Sequence, residues 1–522
     1  MKNLRYGLWA FALLMALWWV IDPTGIRKKV KKTDSELRVI PSKMGGVGVE
    51  VDKKSADGLR TKEKAKGSFD GSIDTGSGQE IPGQKILRFK DGAAYQRFLK
   101  TAPAGVVLDQ IDQLQAVRVK DGEWLKSMGK SAEMEVGKNY YVGVPEVPAE
   151  VVAMGDSVYR VVGRDALKMM GADGVTADWG KGVTVALLDT SLSPTSTSLG
   201  SEEGHGTAMA SLIIGMGGAA PGAKLLEFAV LDAKGVGDSF TLAKAIYAAV
   251  EKGSKVINLS LGSAGDSSVM RDAVAYALGK NVAVVAAAGN EAVNRVAYPA
   301  AYDGVVAVGS VDGDRQHLYF SNRGAAVDVV APGFAVVADW PGGKKVEVSG
   351  TSGSTALVSG AIAALLSKEQ GLTGKQAAEL VIRYANDTGL AGVDEETGMG
   401  VVNVQRVLER NQRGIIDLAT AGVVVDPVNG KVTVAVQNRG TETVNSPTIE
   451  ITAAGTTRKF YPGSLAPGQS MAESLQFDAA RAKQEGGVQV GANVEAPRGS
   501  DQRSGNDMWS GWLKMGTYGG RG

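Results

Sequence analysis

Hydrophobic residues in the middle of the chain follow two alternating patterns. Short continuous apolar runs, such as VTVALLD at 183–189 and VAVVAAAG at 282–289, alternate with longer amphipathic stretches, such as TLAKAIYAAVEKG at 241–253. A continuous apolar run of this length is typical of a strand buried on both faces. Strands that alternate with helices predict a parallel sheet with right-handed crossovers. We therefore predict a doubly wound α/β domain over 155–412, with its first helix at 165–179.

A different pattern precedes this domain. Residues 84–150 contain a smaller set of elements in the order β-α-β-α-β, which predicts a compact α+β domain. The predicted elements are a strand at 86–89, a helix at 93–102, a long strand or hairpin at 106–119, a short helix at 122–129 and a strand at 134–144.

Alternating strands without helices follow the α/β domain. The dipeptide Asn429-Gly430 lies between two alternating runs and indicates a hairpin. Residues 416–500 are therefore predicted to form an all-β sandwich. The Gly-rich residues 501–522 are predicted to be a flexible tail, and the polar residues 26–83 a disordered linker.

The N-terminus has the layout of an export signal. Lys2 and Arg5 precede the apolar run 6–21, and the basic run RKKVKK follows at 27–32. No small-x-small cleavage site follows the apolar run, so both a cleaved signal peptide and an uncleaved membrane anchor at 1–25 stay open. We expect a secreted or envelope-anchored protein; the alternative is a cytosolic protein with a hydrophobic tail.

Composition excludes several kinds of chemistry. The chain has no cysteine and only two histidines among 522 residues, which excludes disulfides, thiolate catalysis and a multi-histidine metal centre. Its formal net charge of +1 provides no electrostatic footprint for nucleic acid. We therefore predict no nucleic-acid partner and no metal ligands.

Four polar residues stand where strands end or helices begin, which is where open α/β sheets build their sites. Taken singly, Asp189, His205, Asn290 and Ser352 could be a turn carboxylate, a structural imidazole, a turn amide and a capping hydroxyl, the last shared with Thr351. Taken together, they match acyl-transfer chemistry. A serine hydroxyl needs an imidazole base, the base needs a carboxylate to orient it, and the oxyanion needs donors already aimed at it.

These residues lie in motifs whose chain order resembles that of the subtilisin-like serine proteases, the subtilase or peptidase S8 family. Four glycines flank the proposed site and are expected to keep bulk away from it, namely Gly204, Gly206, Gly350 and Gly353. The motifs are GVTVALLDT, GHGTAMAS, APGAKLLEFAVLDAKGVGDS, VINLSLGS, VVAAAGNE, YPAAYDGVVAVGSV, FSNRG, VVAPG, GTSGSTALVSG and GMGVVNV.

The resemblance implies specific roles. Asp189, His205 and Ser352 would form the catalytic triad, and Asn290 would complete the oxyanion hole with the backbone N–H of Ser352. Two segments would flank an extended peptide substrate and pair with it by β-addition, and a third would line the S1 pocket. They are Gly235, Val236 and Gly237; Ser260, Leu261 and Gly262; and Ala287, Ala288 and Gly289.

The resemblance also implies an activity and a route of maturation. It predicts an exported serine endopeptidase made as a self-processing zymogen, with 84–150 as its inhibitor-like propeptide and the maturation cut within 145–164. No cofactor is needed for this chemistry, and no clear motif supports structural calcium. The sandwich resembles CARDB-type, immunoglobulin-like modules. The alternative function is a catalytically silent scaffold that acts as an envelope binding protein, and His317 matches no catalytic position.

Overall fold

The computed structural model describes residues 78–128, 133–148, 159–172, 174, 177–198 and 202–514. The predicted signal or anchor at 1–25 lies outside the described residues, as does most of the predicted linker. Within the described ranges, no helix combines the length and apolar character needed to cross a bilayer.

The N-terminal unit is a four-stranded antiparallel sheet in the order β2-β3-β1-β4. Leu87 of the first strand packs toward the first helix, whereas Ile86 faces the helices of the central domain. The sheet thus buries both faces, because successive strand residues point to opposite sides. The elements are β1 (Gln84–Phe89), α1 (Gly92–Thr101), β2 (Val107–Ile111), β3 (Ala116–Lys120), α2 (Glu123–Ser127) and β4 (Met134–Gly137).

The predicted strand at 134–144 is in fact two strands. The second, β5 (Tyr141–Gly143), leaves the small sheet and pairs with the central domain. The break occurs at Asn139, whose buried side chain accepts hydrogen bonds from Ser239 Oγ and Phe240 N at the start of a central helix. Residues 78–83, assigned to the linker by sequence, are also ordered. Gly78 N donates to Tyr141 O and Ile81 N donates to Asn139 O.

The central domain holds a six-stranded parallel sheet in the order β12-β11-β10-β9-β6-β7. Its elements are α3 (Ala166–Met169), β6 (Thr184–Asp189), α4 (His205–Ile214), β7 (Lys224–Ala229), β8 (Val236–Asp238), α5 (Ser239–Glu251), β9 (Val256–Leu259), α6 (Ser268–Gly279), β10 (Ala283–Ala287), β11 (Val306–Val311), β12 (Val329–Pro332), β13 (Val336–Trp340), β14 (Lys344–Val348), α7 (Thr351–Lys368), α8 (Gly374–Arg383) and α9 (Val404–Glu409).

Helices cover both faces of this sheet, as the apolar runs predict. Val185 and Leu187 of β6 belong to the apolar cluster that contains α4 and α7, and Ala186 and Leu188 belong to the cluster that contains α5 and α6. The predicted helix at 165–179 is wrong after Met169, because the chain bends at Gly171, which has a φ of +62°.

The C-terminal region is built from antiparallel sheets. A three-stranded sheet in the order β15-β16-β21 faces a four-stranded sheet in the order β19-β18-β22-β23 across a shared apolar core. The elements are β15 (Leu418–Asp426), β16 (Lys431–Asn438), β17 (Val444–Asn445), β18 (Thr448–Ala453), β19 (Thr456–Phe460), β20 (Ser464–Leu465), β21 (Ser470–Gln476), α10 (Ala479–Glu485), β22 (Gly487–Glu495) and β23 (Met508–Lys514).

Two features of this region differ from the pattern predicted by sequence. A short helix, α10, begins after Asp478, whose side chain accepts from the N–H groups of Ala480 and Arg481. Part of the predicted flexible tail forms β23, which pairs with β22 along its length. This strand is ordered because Leu513 is buried and Trp509 packs against the sandwich core.

Candidate active site

The four predicted site residues come together at the carboxyl end of the parallel sheet. Asp189 ends β6, His205 begins α4, Asn290 follows β10 and Ser352 lies in the first turn of α7. All four side chains are buried, with exposed fractions of 0% for Asp189, 8% for His205, 1% for Asn290 and 6% for Ser352. Parallel strands deliver their carboxyl ends to one edge, so residues distant in sequence meet there.

Asp189 and His205 form a direct pair. Nδ1 of His205 lies 2.7 Å from Oδ1 of Asp189, and the same oxygen accepts a 2.7 Å hydrogen bond from the Thr190 N–H. A carboxylate can only accept, so Nδ1 carries the hydrogen and Nε2 is left free to accept a proton. Nε2 is buried and has no hydrogen-bond partner among the described residues.

The charge environment favours the protonated imidazole. Burial acts to lower the pKa of His205, but the charge and hydrogen bond of Asp189 and the charge of Glu202 outweigh it, so the pKa lies above its usual value. Stabilisation of the imidazolium is what a general base needs after it has taken a proton.

Ser352, at the start of α7, hydrogen-bonds to the cleft wall rather than to this pair. Its Oγ donates to the backbone oxygen of Ser260 at 3.2 Å, and Ser260 Oγ donates to the backbone oxygen of Ser352 at 2.9 Å. The structure therefore joins Asp189 to His205 directly, while the hydroxyl of Ser352 faces the wall of the cleft.

The Asn290 amide is held in one orientation. Its Oδ1 accepts from the N–H of Thr351 at 3.0 Å and from Oγ1 of Thr351 at 2.9 Å, so Nδ2 must face the cleft. There Nδ2 donates to the backbone oxygen of Pro145 at 2.7 Å.

The N-cap of α7 is Gly350, so the capping role that sequence left open for Thr351 is wrong. The sequence alone gave no indication that Thr351 would contact Asn290.

The two predicted substrate strands enclose a segment of the chain itself. On one side, β5 pairs antiparallel with β8, and Val144 N donates to Gly235 O at 3.0 Å. On the other side, Gly143 and Gly262 exchange backbone hydrogen bonds of 2.9 and 2.8 Å. The cleft thus holds an extended strand with the ladder pairing expected of a peptide substrate.

The predicted S1 residues lie at the end of β10. Ala287 and Ala288 are fully buried, and Ala288 belongs to the same apolar cluster as Val296 and Ala300. Gly289 N donates to Thr351 Oγ1 at 3.3 Å. Val142 of the segment in the cleft belongs to the same apolar cluster as Ala288. The role of these three residues in the S1 pocket stays a prediction.

The glycines around the site differ in how tightly they are enclosed. A Cβ on Gly206 would lie 2.3 Å from Thr190 O, and one on Gly204 would lie 2.3 Å from the ring of Trp340. Gly350 has a φ of +129°, and its Cβ would lie 2.7 Å from Nδ2 of Asn290. Gly353 is the exception, because its Cβ would meet only ordinary contacts at 3.4 and 3.5 Å. Gly353 is therefore less tightly enclosed than the other three glycines, and its role in keeping bulk away from the site stays a prediction.

His317 lies apart from these residues, in the loop after β11. Burial, together with the charge of Arg323, lowers the pKa of His317 to about 3, which keeps the imidazole neutral. Among the described ranges, no group of three or more His, Asp or Glu side chains is arranged to hold a metal ion.

Comparison with known proteins identifies a family for the central domain. Residues 180–400 match the family model described as the Subtilase family, Peptidase_S8. The chain is similar to an alkaline protease of Alkalihalobacillus alcalophilus, with 30% identity over 369 residues that cover 65% of this chain and 94% of that protein. It is also similar to Subtilisin Savinase of Lederbergia lenta, with 35% identity over 246 residues that cover 43% of this chain and 90% of that protein.

A solved structure also aligns with the chain. The prenylagaramide maturation protease PagA matches with 27% identity and a TM-score of 0.40, over 47% of this chain and 98% of that one.

Proposed function

The chain belongs to the subtilase family and is a serine endopeptidase, and from this premise we propose that it is made as a zymogen that cuts its own chain. Asp189, His205 and Ser352 act as the catalytic triad and Asn290 as an oxyanion donor. The observation that carries this proposal is the short contact between Asp189 and Nδ1 of His205, which leaves Nε2 free to act as the base.

In the proposed reaction, Oγ of Ser352 attacks the substrate carbonyl while Nε2 of His205 takes its proton. The imidazolium returns this proton to the leaving nitrogen, and water then hydrolyses the acyl-enzyme by the same route in reverse. Nδ2 of Asn290 and the N–H of Ser352, in the first turn of α7, stabilise the oxyanion. The Ser352 hydroxyl must first turn from Ser260 O toward His205.

Substrates are proposed to be proteins or peptides bound as an extended strand. Gly235, Val236 and Gly237 form one wall, and Ser260, Leu261 and Gly262 form the other. The pairing of residues 141–144 with both walls supports this mode. Main-chain pairing supplies affinity for any sequence, and the side-chain pockets supply selectivity. The chemistry needs no cofactor.

The N-terminal unit is proposed to be the propeptide and first inhibitor. Polar contacts hold it against α5 and α6, with Arg118 donating to Asp238 at 2.8 Å and Arg88 lying 2.7 Å from Asp272. Its last strand fills the cleft. An extended segment that pairs with both walls keeps other peptides out until it is cut and released.

Export and the C-terminal region complete the proposal. The basic residues and apolar run at 1–25 support export, either by a cleaved signal or by an anchor at 6–21. The antiparallel sheets after residue 416 support a CARDB-like or immunoglobulin-like module, which would stay attached after maturation.

The test compares the intact masses of the wild-type protein and of Ser352→Ala, expressed as full chains. We expect the wild type to lose its N-terminal unit and the variant to stay whole. A serine-reactive fluorophosphonate should label the wild type at Ser352 only. A wild type that neither matures nor labels would instead be the catalytically silent scaffold.

A further inference from the structure

The segment in the cleft has a defined register. Gly143 exchanges both backbone hydrogen bonds with Gly262. In an antiparallel ladder the next hydrogen-bonded pair lies two residues on along one strand and two residues back along the other. Pro145 is therefore the residue that faces Ser260.

One peptide bond of this segment is presented to the reactive groups. The carbonyl oxygen of Pro145 accepts from Nδ2 of Asn290 at 2.7 Å, which is the place of the developing oxyanion. Beyond Pro145, Glu146 is exposed and Val147 packs against the cluster that contains Tyr159 and Phe320. The chain thus passes through the site from one side to the other, with the Pro145–Glu146 bond at the centre.

Proline at this position leaves one hydrogen bond unmade. Any other residue would offer an N–H to the carbonyl oxygen of Ser260, but proline has none. That oxygen instead accepts from Oγ of Ser352 at 3.2 Å. The nucleophile is thereby hydrogen-bonded to the cleft wall, while Nε2 of His205 has no partner within the described part of the chain.

We propose that Pro145–Glu146 is the bond cut at maturation and that Pro145 delays the cut, because its missing N–H lets Ser260 O hold the Ser352 hydroxyl away from His205. This inference rests on the proposed self-processing. In the cut, Ser352 Oγ bonds to the Pro145 carbonyl carbon, and its proton passes through His205 to the Glu146 nitrogen as the C–N bond breaks. Water then releases a Pro145 carboxylate and restores Ser352.

The test follows self-cleavage of the full chain over time by intact mass and N-terminal sequencing. Pro145→Ala and Pro145→Gly restore the N–H. Pro148→Ala is the matched control, since it removes a half-buried proline three residues further along. We expect a new N-terminus at Glu146 in each active protein. The two Pro145 variants should cut about five- to tenfold faster than wild type, the effect of one hydrogen bond, and Pro148→Ala should cut at the wild-type rate.

The remaining outcomes separate this inference from the proposed function. A wild type that stays whole while Pro145→Ala is cut before Glu146 supports the inference. A new N-terminus elsewhere, or equal rates in wild type and both Pro145 variants, overturns it and leaves self-processing standing. No cut in any variant, with Ser352 still labelled by a fluorophosphonate, also overturns it. No cut and no label overturns the proposed function as well.

Discussion

Thr351 holds the side-chain amide of Asn290 with two hydrogen bonds, from its N–H at 3.0 Å and from its Oγ1 at 2.9 Å. Both bonds end on Oδ1, so Nδ2 is the atom that faces the cleft. Thr351 directly precedes Ser352, and one residue of α7 thus links the proposed nucleophile to the proposed oxyanion donor. Thr351 is a positioning residue in this arrangement.

Replacing Thr351 by valine keeps the shape, removes the Oγ1 bond to Asn290 and also removes the 3.3 Å acceptor of the Gly289 N–H. We expect kcat to fall about tenfold with little change in KM, because the amide is needed most as the oxyanion develops. The matched control is Thr355→Val, which removes a buried 2.7 Å hydrogen bond to Thr351 O without touching Asn290. Steady-state kinetics on a peptide substrate give the comparison. Equal loss in both variants would show that Thr351 acts only through stability.

Replacing Asp189 by asparagine should lower kcat about 10⁴-fold, as removal of the triad carboxylate does in other serine proteases. The amide NH₂ of asparagine can face Nδ1 of His205, which puts the imidazole hydrogen on Nε2 and leaves no base for Ser352. The fold should persist, because the substitution is nearly isosteric. Single-turnover kinetics with a circular-dichroism check would test this, and a loss below tenfold would argue against the triad.

Glu202 should affect the acid limb of the pH profile of kcat/KM. His205 must be neutral to act as a base, and its raised pKa moves the acid limb of the profile above the usual value for histidine. Glu202→Gln removes one of the charges that raise this pKa, so the limb should move to lower pH. Added salt should reduce the difference in the acid limb between wild type and Glu202→Gln, because Glu202 is exposed and its charge is screened. Glu485→Gln, an exposed acid in the C-terminal region, is the control and should leave the limb in place.

Replacing each of the two glycines near Ser352 by alanine should have opposite effects on activity and stability. Gly350→Ala puts a Cβ 2.7 Å from Nδ2 of Asn290 and strains a φ of +129°, so we expect kcat to fall by up to about 10²-fold and stability by about 1–3 kcal/mol. Gly353→Ala meets no close contact and adds helix propensity, so stability should hold or rise by about 1 kcal/mol. Thermal unfolding and kinetics would test the pair, and an inactive Gly353→Ala would contradict the geometry.

Arg118 should control how long the N-terminal unit, which is the proposed propeptide, stays bound after the cut. Its guanidinium donates to Asp238 at 2.8 Å, and both side chains are less than one-fifth exposed. Arg118→Ala should weaken the complex about tenfold, which shortens the interval between self-cleavage and the first activity on a fluorogenic peptide. Arg97→Ala serves as the control, because Arg97 pairs with Glu133 within the N-terminal unit. An unchanged interval for Arg118→Ala would exclude this contact as the anchor.

Local pattern was enough to predict most of the central domain. Continuous apolar runs such as 183–189 become strands buried on both faces, because each successive residue meets a helix on one side or the other. The positions of Asp189, His205, Asn290 and Ser352 followed from the same logic, since strand ends and helix starts are visible in sequence. Local pattern failed where a contact with a distant element decides the conformation, as at Asn139, where the strand breaks to meet the start of α5.

The sequence by itself determined the architecture of the sheet and the identity of the four polar residues at its carboxyl end. Only the tertiary structure decided which donor faces which acceptor. The orientation of the Asn290 amide, the diversion of the Ser352 hydroxyl to Ser260 and the seating of Pro145 in the cleft each join residues that are dozens to more than a hundred positions apart in the chain. A hydrogen bond depends on its direction and on a donor–acceptor distance that must be right to within a few tenths of an ångström. No periodicity along the sequence carries that information.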